Sequence, residues 1–152
     1  MPLEGNVDLT VRQAHPGDAA ALAQLMCELG YETTKAEMQM RVERIATDER
    51  YRTFVAVRGG KVCGMIGTFV YYSYEHNDMS GRILALVTSS TARRHGVGRA
   101  LMATAEKDFA QKGITRVALN TTLTREDACA FYESLGYTRN GWRFVKQFPV
   151  CD

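Results

Sequence analysis

The segment that most constrains the fold is an apolar run followed by a glycine-bearing basic loop and a long amphipathic stretch. Residues 83–87 form a strand-sized apolar run inside a strand predicted over 82–88. From about residue 96 to residue 112, apolar side chains recur at helical spacing, and residues 114–121 have strand character again. A strand–helix–strand unit of this kind predicts two neighbouring parallel strands in an α/β sheet.

The rest of the chain predicts further strands and helices around that unit. The other predicted strands are 7–13, 53–57, 62–72, a short strand after Tyr137, and 142–148, with turns at Gly59-Gly60 and Asn140-Gly141. The other predicted helices are 22–29 with Asp18 as its cap, one opened by the capping box of Thr34 and Glu37, and one through 128–135 capped by Thr124 and Asp127. The order is β-α-α-β-β-β-α-β-α-β-β, a mixed α/β sheet with interspersed helices.

Length and composition narrow the class of protein. The 152 residues fit one domain, 1–152, and no apolar run approaches the ~18 residues of a membrane span. Residues 1–10 lack a basic stretch followed by an apolar core, so we expect a cytoplasmic protein with no membrane partner. None of the 4 cysteines has metal-ligand spacing, so no metal is expected. A net charge of +2 disfavours nucleic-acid binding by bulk electrostatics.

The loop between the predicted strand and helix has the chemistry of a phosphate site. Gly96 and Gly98 let backbone amides approach a bulky anion, and the helix that they open presents its positive dipole end. Arg93, Arg94 and Arg99 add charged donors, so a pyrophosphate fits. The alternative is a helix entry with a solvated basic face. The P-loop string is absent, and Leu101 stands where a dinucleotide fingerprint needs a small residue.

Two motifs in this region resemble one known family. Arg93-x-x-Gly96-x-Gly98 is similar to the R/Q-x-x-G-x-G/A signature of the GCN5-related N-acetyltransferases, although that family often has glycine where Arg94 stands. The segment from Ala128 to Tyr137 resembles its second motif, A-x-x-F-Y-x-x-x-G-F/Y. The resemblance covers nearly the whole chain and implies a strongly twisted mixed sheet flanked by helices. It also implies acetyl-coenzyme A as the cofactor.

The resemblance assigns cofactor roles to particular residues. Backbone groups around Leu86 and Thr88 are expected to pair with the pantetheine arm, amides from Arg94 to Arg99 to hold the pyrophosphate, and Asn120 to bond pantetheine amides. Asn120 is equally well explained as a strand-end turn former. The full set expected at the cofactor is Leu86, Val87, Thr88, Arg93, Arg94, His95, Gly96, Val97, Gly98, Arg99, Asn120 and Tyr132.

The implied reaction is direct attack of a primary amine on the thioester. An amine with a pKa near ~10.4 must first lose a proton, and the leaving thiolate gains from a proton donor. Tyr132 matches the family's tyrosine in that donor position, with core packing as the alternative. The base is not assigned: Glu32, Glu75 and His76 are loop residues, and a water can serve instead.

The acceptor is expected to be the primary amine of a small molecule. Tyr31 and Glu32 between the first two helices, with Tyr72 and Glu75 after the third strand, predict an aromatic, mildly acidic cleft for a cationic amine. Mixed surface loops explain these residues equally well. Peptide or protein amines remain possible acceptors, and the rival classes are a non-catalytic coenzyme A-binding regulatory domain and a nucleic-acid binder. The last predicted strands, 142–148, could pair with a second copy in a homodimer.

Overall fold

The computed structural model describes residues 8–121 and 126–150. The chain divides into two compact units between Ala118 and Leu119. The strands are β1 (Leu9–Gln13), β2 (Tyr51–Arg58), β3 (Lys61–Tyr72), β4 (Met79–Thr88) and β5 (Val117–Leu119), and the helices are α1 (Ala19–Leu29), α2 (Lys35–Ala46), α3 (Val97–Gln111) and α4 (Glu126–Ser134). Val7 and Thr124, predicted in the first strand and as a helix cap, lie outside the described residues.

The strands form one sheet in the order β1-β2-β3-β4-β5. The pairs β1–β2, β2–β3 and β3–β4 are antiparallel, and the predicted Gly59-Gly60 turn joins β2 to β3 with φ values of 59° and 76°. Helix α3 connects β4 to its neighbour β5 in the sheet, in the order of the predicted strand–helix–strand unit. The α/β class expected from the sequence is confirmed.

The helix starts follow the predicted caps only in part. The capping box of α2 is formed, because the Thr34 Oγ1 accepts the Glu37 N–H (3.1 Å) and the Glu37 carboxylate accepts the Thr34 N–H (3.0 Å). Asp18, in contrast, makes no side-chain cap bond to α1. Its carboxylate accepts two hydrogen bonds from Arg12, at 2.8 and 2.9 Å, so an ion pair with β1 replaces the expected cap.

Close packing of α3 on the sheet depends on two glycines. A methyl group added at Gly64 of β3 would lie 2.8 Å from Val97, the first residue of α3, and one added at Gly81 of β4 would lie 2.7 Å from Phe109. Both distances are shorter than real side chains tolerate. The start of α3 is therefore held directly against β3 and beside the carboxyl end of β4.

The opposite face of the sheet is covered by α1 and α2. A buried cluster joins Leu22 and Leu25 of α1, Val42 of α2, and Val55 and Met65 of the sheet. Over residues 51–56 of β2 and 64–69 of β3 this face contains every second residue, whereas the alternate positions, Gly64 among them, face α3. The two faces of the sheet thus bury separate sets of side chains.

Strand β4 contains one extra residue relative to β3. Gly67 pairs with Ala85 and Thr68 pairs with Ile83, so Leu84 has no pairing partner on β3 and forms a β-bulge. Because of that bulge, Gly81 faces α3 whereas Val87 belongs to the cluster beneath α1 and α2. The bulge therefore redirects the side chains of the second half of β4.

The predicted closing hairpin is not formed. Residues 137–150 contain neither helix nor strand, which corrects the element order over the described residues to β-α-α-β-β-β-α-β-α. The Asn140-Gly141 signal is present, but Trp142 and Phe144 are 81% and 93% exposed, so no apolar burial supports the pairing. A two-stranded hairpin without a packed face is only marginally stable.

We predict that Asp18→Asn lowers the free energy of unfolding by about 2 kcal/mol at pH 7, because a bidentate ion pair to a carboxylate that is 5% exposed is lost. The Arg12 bonds hold the pKa of Asp18 below its ordinary value, with a smaller contribution from the His15 N–H, against the effect of burial. The pair therefore contributes fully above the unfolded-state pKa of about 3.9 and loses its effect as the pH falls through the lower folded-state pKa. Urea titrations from pH 7 to pH 3 should show the difference from wild type shrinking only in that acidic range.

Asp48→Asn is the matched control, because it removes the bidentate Asp48–Arg50 pair at the protein surface. We expect a much smaller loss of stability for this variant. An equal loss for both variants would show that burial of Asp18 adds nothing.

We also predict that Gly64→Ala lowers the free energy of unfolding by about 2 kcal/mol, because the added methyl meets Val97 and the Val87 carbonyl. Gly67→Ala in the same strand is the control, since its methyl would meet only Met65 Cε, at 3.8 Å. Thermal and urea unfolding of both variants tests this. Equal stability of the two would contradict the close approach of α3.

Candidate functional site

The loop between β4 and α3 places two residues in the left-handed backbone region. Gly96, immediately before α3, has φ 75° and ψ 14°, and Arg94 has φ 68°. No atom of residues 8–121 and 126–150 lies within 4 Å of a methyl group added at Gly96, so these residues leave the space beside it open. The loop therefore turns sharply into the helix and leaves room for a ligand at the turn.

Positive charge surrounds this turn. Arg93, Arg94, His95 and Arg99 are all exposed, and no acidic residue occurs between Ser89 and Ala105. The Ala100 N–H bonds the Gly96 carbonyl at 3.0 Å, so the amides of Val97 and Gly98 precede the first helical bond and point out of the helix end. The side chain of Val97 is only 1% exposed and packs inward, so this residue can offer a ligand its backbone alone.

The carboxyl end of β4 extends beyond its neighbour β5. The Gly81 N–H bonds the Arg116 carbonyl at 2.9 Å near the start of both strands, but β5 ends after three residues whereas β4 continues to Thr88. Among residues 8–121 and 126–150, no strand pairs with Leu86, Val87 or Thr88 on that side. Backbone groups of this stretch are available to an extended ligand in the manner of an added strand.

An unexpected contact ties this loop to α1. The Glu28 carboxylate accepts hydrogen bonds from the Ser90 Oγ (2.8 Å) and the Ser90 N–H (3.3 Å). Glu28 holds the first turn after β4 in place and was not among the residues predicted from sequence. Sixty-two positions separate the two residues, and no local pattern marks such a contact.

Asn120 and Tyr132 belong to the second unit of the chain, with α4. Asn120 directly follows β5, and Tyr132 lies on α4 in edge contact with Phe131 and Tyr137, at ring distances of 5.3 and 6.2 Å. The Tyr132 carbonyl accepts the N–H groups of Leu135 and Tyr137, which ends the helix. Aromatic and backbone contacts thus fix the position of Tyr132 near the end of α4.

The four predicted acceptor residues lie in two exposed parts of the chain. Tyr72 pairs with Met79 at the start of β4, and Glu75 lies in the loop between them. Tyr31 and Glu32 lie between α1 and α2. That the four residues line one aromatic, mildly acidic cleft stays a prediction.

A different cavity lies between α1, α2 and the sheet. Its volume is about 170 Å³, and it extends to the bulge of β4. Apolar side chains dominate the lining, namely Met26, Met38, Val42, Ile45, Met65 and Leu84. Gly67 faces this cavity, and Ala85, next to Leu86, borders it. This cavity was not predicted from the sequence, although Arg41 interrupts the apolar stripe of Met38, Val42 and Ile45 and could have indicated it.

Two structural absences apply to the part of the chain that is described. None of its helices combines the length and the apolar character needed to cross a bilayer. Within the same residues, no three or more His, Cys, Asp or Glu side chains gather in a group able to hold a metal ion.

Comparisons with known proteins agree with this architecture. Residues 19–137 match the family model described as acetyltransferase (GNAT) family. The chain is 31% identical over 143 residues to an aminoalkylphosphonate N-acetyltransferase from Salmonella typhimurium, covering 90% of this chain and 89% of that protein. A GNAT family acetyltransferase from Staphylococcus aureus shares 26% identity, with a TM-score of 0.79 over 92% of this chain and 98% of that chain.

A transcriptional regulator from Bacillus halodurans has the same fold, with a TM-score of 0.84 over 93% of this chain and 100% of that chain, at 24% identity. The sheet, the glycine turn before α3 and these likenesses define an acetyl-coenzyme A-dependent N-acetyltransferase. The chain belongs to the acetyltransferase (GNAT) family, as its two motifs led us to expect.

We predict that Gly96→Ala lowers the free energy of unfolding by about 1–2 kcal/mol, because alanine is strained at positive φ. No described neighbour lies within 4 Å of the added methyl group, so backbone strain is the expected cause. Arg94→Gly should not destabilise the protein, since glycine removes the same cost at φ 68°. Urea unfolding of both variants without ligand measures this. Wild-type stability of Gly96→Ala would contradict the left-handed turn.

Proposed function

We propose that this protein transfers the acetyl group of acetyl-coenzyme A directly to the primary amine of a small molecule. The observation that carries the proposal is the glycine turn at Gly96, which opens α3 beside the unpaired end of β4. A family match over residues 19–137 makes that turn the expected cofactor loop.

The residues of the loop fit a coenzyme A pyrophosphate. Open space beside Gly96 admits the phosphates, and the amides of Val97 and Gly98 point toward that space at the positive end of α3. Arg93, Arg94, His95 and Arg99 would surround it with positive charge. Leu86, Val87 and Thr88 would hydrogen-bond the pantetheine arm through their backbone, and Asn120 would add a side-chain amide.

Acetyl-coenzyme A supplies an activated thioester, whose C–S bond breaks as the amine N–C bond forms. The amine must lose a proton and the sulfur must gain one. We assign the donor role to the Tyr132 hydroxyl, because a phenol O–H can donate its proton to a thiolate. A backbone N–H at the bulged part of β4 would stabilise the negative charge that develops on the carbonyl oxygen. Water is the simplest acceptor of the amine proton, because Glu32 and Glu75 both lie in exposed loops.

Two observations support a small acceptor. One relative, an aminoalkylphosphonate N-acetyltransferase, is 31% identical to this chain, and the match covers 89% of that protein. Its name describes an enzyme for a small-molecule amine. The cavity that borders β4 has a volume of about 170 Å³, close to the ~150 Å³ of a cavity that holds benzene.

The direct test is release of free coenzyme A thiol when the purified protein is incubated with acetyl-coenzyme A and a panel of amines. The panel contains short alkylamines, amino acids, an aminoglycoside and a lysine peptide, and mass spectrometry identifies the acetylated product. We expect turnover with at least one short amine. Cofactor binding without turnover on any amine would instead establish a non-catalytic coenzyme A-binding protein.

We predict that Tyr132→Phe lowers kcat by about tenfold to a thousandfold and leaves the affinity for acetyl-coenzyme A unchanged, because it removes a proton donor and keeps the ring. Tyr137→Phe is the matched control, since Tyr137 contacts Tyr132 and follows α4. Steady-state kinetics across pH 6 to 10 and calorimetric binding of the cofactor separate the two effects. A wild-type pH profile for Tyr132→Phe would overturn the assignment.

A further inference from the structure

The cavity between α1, α2 and the sheet has one charged group available to a ligand. Its lining is mostly apolar, and none of the described residues that line it is acidic. Arg41 of α2 and Arg52 of β2 are its two charged lining residues. The Arg52 guanidinium lies 3.7 Å from Asp108 of α3, across the sheet, so Arg52 borders the cavity through its backbone. Arg41 is therefore the cation of this cavity.

A neutral hydroxyl fixes the position of Arg41. The buried Thr33 Oγ1 donates its hydrogen to the Tyr31 carbonyl at 2.8 Å, which leaves its lone pairs to accept the Arg41 Nη1–H at 3.2 Å. This single bond uses one of the five guanidinium donors and neutralises none of the charge. The half-buried Arg41 side chain is thereby oriented by a neutral partner.

No carboxylate among residues 8–121 and 126–150 forms an ion pair with Arg41. Glu37 lies one helical turn earlier on α2, and the charge of Arg41 contributes to lowering the pKa of Glu37. The larger contribution comes from Thr34, whose N–H the Glu37 carboxylate accepts in the capping box at 3.0 Å, so Glu37 makes no direct contact with the guanidinium. A half-buried cation at the wall of an apolar cavity gains most from an anion that enters with the ligand, since water competes weakly there.

We propose that this cavity is the acceptor site and that Arg41 binds an anionic group of the acceptor. This inference rests on the proposed acetyltransferase function and names its substrate class, a short primary amine that carries a phosphonate, phosphate or carboxylate. The guanidinium fork matches the paired oxygens of each of these anions.

The dimensions and borders of the cavity give the ligand an orientation. Leu84 and Ala85 border it at the bulge of β4, and the next residue, Leu86, begins the stretch proposed to hold the pantetheine arm. A ligand whose anion meets Arg41 presents its other end, the amine, toward β4. With a volume of about 170 Å³, the cavity has room for roughly six to eight heavy atoms of a ligand.

The test compares three acceptors of similar length, namely 2-aminoethylphosphonate, β-alanine and n-propylamine, with thiol release as the readout at saturating acetyl-coenzyme A. We expect wild type to favour at least one anionic amine over propylamine by tenfold or more in kcat/KM. The two anionic amines distinguish a phosphonate-like ligand from a carboxylate. A wild-type preference for propylamine would overturn the proposal.

Arg41→Gln should raise KM for the preferred anionic amine by about tenfold to a hundredfold and leave kcat and the propylamine KM nearly unchanged, because it removes a charged hydrogen bond that is made before and during reaction. Arg41→Lys keeps the charge without the two parallel N–H donors of the guanidinium. Its KM for the anionic amine should therefore lie between those of wild type and Arg41→Gln. Arg44→Gln is the matched control, an exposed arginine on the same helix that does not line the cavity. Equal loss for propylamine and the anionic amine in Arg41→Gln would refute charge recognition.

Gly67→Val tests the location of the site independently of charge. Gly67 faces the cavity, and a side chain there would extend into space where only Met65 Cε lies within 4 Å of the first added carbon. We expect KM to rise for all three amines while the affinity for coenzyme A and the thermal unfolding midpoint stay near wild type. Unchanged KM values would place the acceptor elsewhere and overturn the proposal.

Failure of this inference is distinguishable from failure of the proposed function. Thiol release by wild type with any amine supports acetyl transfer, whichever amine is preferred. Two negative results together would contradict both the acetyltransferase function and the anion site. They are no turnover with any amine, and no Arg41-dependent thermal shift with 2-aminoethylphosphonate or β-alanine. A thermal shift that Arg41→Gln abolishes, without turnover, would support the anion site alone.

Discussion

The contact between α3 and the sheet is the constraint on which the rest of the structure depends. At Gly64 and Gly81 the sheet has no side chain, so the helix approaches closer than any other residue would permit. Val97, the first residue of α3, lies against Gly64 together with Leu101 one turn later. The helix end is thus fixed by packing rather than by the loop, and the loop must turn through the left-handed conformations at Arg94 and Gly96 to reach it.

The two faces of the sheet serve the two halves of the proposed reaction. Helix α3 and its basic turn occupy one side, whereas α1, α2 and the apolar cavity occupy the other. Both halves meet at β4, which contributes an unpaired backbone stretch and the wall of the cavity. Glu28 bridges them, because it belongs to α1 and holds Ser90 at the start of the basic turn.

Local chemistry explains which features the sequence predicts and which it does not. The Thr34–Glu37 box, the Gly59-Gly60 turn and the glycine start of α3 depend on neighbouring residues, and each is present in the structure. The Asp18 cap is replaced by an ion pair with Arg12 of β1, because that carboxylate finds a charged partner in another element. The Asn140-Gly141 hairpin is not formed, because no packed apolar face supports its turn signal. The Glu28–Ser90 contact and the cavity around Arg41 depend on the tertiary fold alone.

Because of the extra residue at Leu84, odd-numbered side chains of β4 lie on opposite faces of the sheet before and after the bulge. Before it, odd-numbered positions such as Gly81 and Ile83 face α3; after it, odd-numbered positions such as Ala85 and Val87 face the cavity and the cluster under α1. Evolution can exchange Leu84 for another side chain at little structural cost, because it is half exposed, at 52%. Deleting the position would turn the side chains of one half of β4 to the opposite face of the sheet. Residue 84 therefore tolerates substitution but not deletion.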